Sequence, residues 1–150
     1  MTENTTFLLL RLFRAGAIAQ VLLMLIQAAF AGRLLAGHVE AVHMHEFTAK
    51  VLVLLAAFLC LVALTLRAKA IVPPWVIIAA VLLVAAEIVE FAAGARHNVA
   101  LHVPLGVAIF GGALRQLLWA VRDAERSGEG SAPQASAGNT GKLHPSAGSR

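Results

Sequence analysis

Two runs of the chain, 51–66 and 71–86, pass sixteen residues each without one charged side chain. At about 1.5 Å per residue, such a run plus its flanks is long enough to cross a bilayer core of roughly 30 Å. A single 150-residue soluble domain has too little interior to bury several segments of this kind. The composition agrees: 59% of the chain is hydrophobic, 13% is charged, and the mean hydropathy is +0.81. The chain is therefore expected in a lipid bilayer.

Four apolar segments follow from their flanks, at 7–31, 43–66, 73–95 and 99–121. The third opens on Pro73-Pro74-Trp75, where proline suits a helix start and tryptophan suits a membrane interface. The fourth closes with Trp119 near Arg122. The expected fold is all-α: an integral membrane four-helix bundle running up-down-up-down, with residues 1–122 as its transmembrane domain.

The formal charge of +4 and the high isoelectric point do not indicate nucleic acid, because the basic residues cap apolar runs instead of forming a patch. Arg11, Arg14, Arg67, Lys69, Arg115, Arg122 and Arg126 fall on one side of the proposed bundle. Only Arg33, Lys50 and Arg96 fall on the other. The bias puts both termini in the cytoplasm of a bacterial cell whose plasma membrane holds the bundle. The first segment also imitates a secretory signal, with Arg11 and Arg14 before an apolar run and Ala29-Phe30-Ala31 after it. Its length, and Gln20 and Gln27 seven apart on one face, favour a retained bundle helix. From Asp123 the chain turns rich in Gly, Ser and Ala, which reads as a disordered cytoplasmic tail over 123–150. His144 there is an incidental exposed residue, and the lone Cys60 is a small packed hydrophobe.

No phosphate-binding glycine loop, nucleophile elbow or H-E-x-x-H zinc motif occurs; His45-Glu46 is followed by Ala49 where a second histidine would stand. The chemistry must come from ionisable residues gathered at the outer side, where five of the six histidines lie. Ionisable groups inside a membrane are costly, and so are functional candidates by default. His38, Glu40, Arg96 and His97 are read first as interfacial.

In "EAVHMHEFTAK", residues 40–50, the two histidines cannot act together. At 100° per residue they point about 200° apart. His45 shares a face with Ala49, Leu52, Ala56, Leu59 and Ala63, the spacing of a helix-packing stripe, whereas His43 sides with Phe47, Lys50 and Leu54. His45 is thus the inward residue. His102 precedes Gly106 by one turn, which offers room beside the ring for a flat cofactor. Counted from the opposite arginines, His45 lies 22 residues from Arg67 and His102 lies 20 from Arg122. That is a difference of about 3 Å in depth.

Two neutral imidazoles at one depth suit the two axial positions of a haem iron. Lys50, Arg96 or Arg33 could neutralise the propionates. His43 and His97 are secondary candidates for a second haem. Glu87 and Glu90, three apart on the third segment, are secondary candidates for proton uptake or for a carboxylate that orients a ligand histidine through its other nitrogen.

The stretches "QAAFAG", "HMHEFTAKVLVLLAAFLCLVAL" and "ALHVPLGVAIFGGALRQLLW" resemble small four-helix actinobacterial membrane proteins. More distantly, the layout is similar to one four-helix half of the haem A synthase family and to membrane cytochrome b bundles. The resemblance covers roughly residues 11–122. It implies His45 and His102 as the axial pair, since that family's half-bundle carries ligand histidines in its second and fourth helices on the outer side. The chain departs from haem A synthase in having one half, no outer cysteine pair and no E-x-x-x-H element in its first outer loop. The expectation is therefore haem b binding with electron transfer to or from a quinone or another membrane redox partner, and not haem A synthesis. The alternatives are a proton- or metal-linked transport or accessory subunit, and a structural membrane protein without a cofactor. A pore would require a homo-oligomer, because four helices leave little room for one.

Overall fold

The computed structural model describes residues 3–129, and every regular element in it is a helix: α1 (Glu3–Leu35), α2 (Ala41–Ala68), α3 (Pro74–Ala95) and α4 (Val99–Glu129). All four are long and apolar enough to cross a membrane. α1 extends beyond the expected 7–31 at both ends. α4 runs past residue 121, because Asp123-Ala124-Glu125-Arg126 contains neither Gly nor Pro and continues the helix into what reads as tail. The rest of that segment, 130–150 with His144, lies outside the described residues.

The exterior is apolar. Leu54 is 71% exposed, and Leu61, Ile78, Leu82 and Val107 are exposed beside it in character. So much outward-facing hydrocarbon is the inverse of a soluble surface, and lipid is the solvent that accommodates it. α2 buries Leu52, Ala56, Leu59 and Ala63 on the face that carries His45.

Each helix packs on two neighbours, α1 and α3 each contacting both α2 and α4. α2 and α4 therefore face each other across the bundle centre. One end of the bundle is aromatic and tightly filled. Phe13, Leu66, Val72 and Val76 are almost wholly buried there, and Trp119 meets Phe13 and Trp75 edge-on with ring centres 6.0 and 5.9 Å away. Arg14 Nε donates to the Ala120 carbonyl at 3.2 Å, tying α1 to α4. Gly16 brings α1 close to α2: a Cβ there would come within 2.6 Å of Leu59 Cδ2. Cys60 is half-buried at the edge of this core.

All three interhelical connections close in the same way. Gly37, Ala70 and His97 have φ of 90°, 57° and 55°. After each, an amide bonds back to a carbonyl five residues earlier: His38 to Arg33, Ile71 to Leu66, Asn98 to Ala93. This is the left-handed helix cap in which glycine is the unstrained residue. Ala70 and His97 hold the same conformation with a Cβ, at a cost of about 1 kcal/mol or more each.

Candidate functional site

The other end of the bundle is polar inside, and four helices contribute to it. α2 projects His45 inward, and α4 projects His102 from its first turns. The two rings stand 6.1 Å apart between centres and at 71° to each other, across the diagonal of the bundle. Two helices whose backbones do not come close thus meet here through two imidazoles.

Each ring is held from the side. His102 Nδ1 lies 3.0 Å from Glu90 Oε1 and 3.1 Å from the Glu90 carbonyl, both on α3. The pair fits because each member sits against a glycine of the opposite helix. A Cβ on Gly94 would approach His102 Cε1 to 3.0 Å, and one on Gly106 would approach Glu90 Oε1 to 2.9 Å. Both glycines lie one turn beyond the polar residue of their own helix, so α3 and α4 present matching notches. The room expected beside Gly106 for a flat ring is thus occupied by the Glu90 carboxylate.

On the other side, α1 supplies Gln27, whose Nε2 lies 3.4 Å from His45 Nε2. The Thr48 hydroxyl holds the Gln27 side-chain oxygen, and it is also within reach of the Met44 and His45 carbonyls. A neutral imidazole has one N–H and one lone pair to satisfy. His45 has only the long contact to Gln27, and its Nδ1 is buried without a partner. Glu90 Oε2 is likewise buried and unpartnered.

Glu87, 5% exposed, does not join this group. It accepts a 2.6 Å hydrogen bond from Gln20 Nε2 on α1, and its second oxygen is buried without a partner. Gln20 and Gln27, one face of α1, thus serve two different acceptors a turn or two apart. His43 is exposed on the far side of α2 from His45. His97 is exposed and forms the left-handed residue after α3, so it is a helix stop by conformation.

The basic residues expected near propionates are distributed differently. Lys50 pairs with Glu46 at 2.7 Å, Arg33 pairs with Glu40 at 3.1 Å, and Arg96 is exposed. Glu40 also lies 3.2 Å from His38. Outside the spans, a backbone hydrogen bond and then the Arg33 guanidinium hold the Glu40 carboxyl below its ordinary value.

The sequence did not single out Gln27 with Thr48 as partners of His45, nor Gly94 as the seat of His102. The only available signals were Thr48 three residues after His45 and Gly94 four after Glu90. Among the described residues, no three His, Cys, Asp or Glu side chains converge as a metal site. No family model matches the chain, and neither a curated protein nor a solved structure does.

Proposed function

We propose that the chain is a small cytochrome-b-like protein of the bacterial plasma membrane that holds haem b through His45 and His102. The meeting of the two rings carries this reading. Their centres lie 6.1 Å apart, and two neutral imidazoles from separate helices are the groups that would hold a haem iron. His45 lacks adequate hydrogen bonding for either nitrogen. His102 has Nδ1 engaged by Glu90, which leaves Nε2 for a ligand.

A bound haem would supply one-electron redox chemistry. Glu90 orients the His102 ring and sets its tautomer, and Gln27, steadied by Thr48, restrains His45. Gly94 and Gly106 are already filled by His102 and Glu90, so a haem would need room beside the rings that Gln27 and the Glu90 carboxylate now occupy. The charge bias supports an up-down-up-down course with both termini cytoplasmic, and therefore a haem near the outer face. A quinone or a membrane redox protein is the expected electron partner.

The test is an optical spectrum of protein purified from haem-replete cells, oxidised and reduced. The expected result is a Soret band that disappears in His45→Ala and in His102→Ala and persists in His43→Ala. A colourless wild-type protein would end this reading.

The Glu90–His102 contact favours a second one, proton-linked transport or an accessory role in it, in which the acid and base exchange a proton without any cofactor. Reconstituted vesicles would then show proton movement that Glu90→Gln abolishes, in a protein without colour.

A further inference from the structure

The aromatic end of the bundle carries a feature that the histidine site does not use. A cavity of about 370 Å³ opens there between the start of α3 and the last membrane turns of α4. Its wall pairs hydrocarbon with cations. Gly111, Leu114 and Leu118 line the apolar part, and Arg115 and Arg122, seven residues apart on one face of α4, line the polar part. Among the described residues of the lining, two arginines stand against one acid, Asp123.

The Arg115 guanidinium lies over the Trp75 ring, 4.8 Å from its centre. Trp75 is in turn braced edge-on by Trp119. A guanidinium held in this way keeps donors directed outward in a fixed plane, the geometry that suits a phosphate. Gly111 meets no atom within 4 Å at its missing Cβ, so the apolar floor is open. Tryptophan at this level marks a membrane–water interface.

We propose that this cavity is a binding site for one anionic phospholipid, with the headgroup phosphate between Arg115 and Arg122 and the first part of an acyl chain along Gly111, Leu114 and Leu118. Charge complementarity selects the occupant: a zwitterionic lipid brings its own cation against the two arginines. The inference needs the helices to lie in a bilayer, but it is independent of haem, and a colourless protein would leave it standing.

Native mass spectrometry of the full chain, released from micelles containing phosphatidylglycerol or phosphatidylcholine of the same acyl chains, tests it. The expected result is selective retention of phosphatidylglycerol. Retention should fall about fivefold for Arg115→Gln and again for Arg122→Gln. Arg67→Gln, which removes an exposed charge outside the cavity, should leave it unchanged. Gly111→Leu fills the floor without altering charge and should also reduce retention, which decides the matter if the arginine variants do not fold. Equal retention of phosphatidylcholine, or an equal loss in Arg67→Gln, would overturn the proposal.

Discussion

The two ends of this bundle are built from the same apolar helices, yet they solve opposite problems. At the aromatic end, Phe13, Leu59, Leu66 and Val76 interlock around Trp119, with Arg14 on the Ala120 carbonyl and Arg115 over Trp75 at the rim. At the histidine end, His45, His102, Glu90, Gln27 and Thr48 meet, and two glycines admit them. Buried polar atoms there, His45 Nδ1 and Glu90 Oε2, have no protein partner. An unpartnered polar atom in a membrane interior is expensive, so its persistence points to a role that packing does not supply. The first end holds the helices together, and the second holds groups that the fold alone has no need of.

Substitution at each end should separate these roles. Under the proposed function the largest effect is expected from His102→Ala, which should abolish the haem spectrum with only a modest change in stability. Its counterpart Leu59→Ala should destabilise the bundle by about 2–3 kcal/mol, read by unfolding in mixed micelles, and leave the spectrum of the folded fraction intact. A spectrum lost equally in both would erase the distinction between the ends.

Glycine substitutions probe the notches more finely. Gly106→Ala places a Cβ 2.9 Å from Glu90 Oε1 and should displace the carboxylate from His102, shifting the redox potential or spectrum and destabilising by roughly 1 kcal/mol. Gly32→Ala, where no neighbour lies within 4 Å, should instead stabilise by up to about 1 kcal/mol.

His97 offers a sharper distinction. As a second haem ligand it would be irreplaceable, whereas as the left-handed residue after α3 it should be improved by glycine. His97→Gly is expected to raise stability by about 1 kcal/mol and to keep the spectrum, measured on the same sample.

The smallest effect belongs to the exposed Arg33–Glu40 pair. The folded carboxyl titrates below its unfolded value, so whatever stability it contributes is present at neutral pH and is lost as pH falls through the folded value. Arg33→Gln should move the Glu40 titration only part of the way back in an NMR experiment, because the backbone hydrogen bond is the larger cause and remains.

The number and type of elements were legible in the sequence because an uncharged run has one low-energy state in lipid, the helix that satisfies its own backbone. The packing face of α2 was legible for a similar reason. Small residues at a seven-residue repeat specify a stripe, and that stripe carried His45 inward and His43 out. Relations along one helix are set by its fixed pitch, so the sequence by itself determined the four apolar helices and the histidine of α2 that faces inward. Relations between helices depend on how each is rotated and slid against its neighbours, which apolar side chains specify only collectively. Only the tertiary structure therefore decided that Glu90 and not Glu87 meets His102, that Gln27 reaches His45 while Gln20 reaches Glu87, and that Gly94 and Gly106 form the notches in which the polar pair rests.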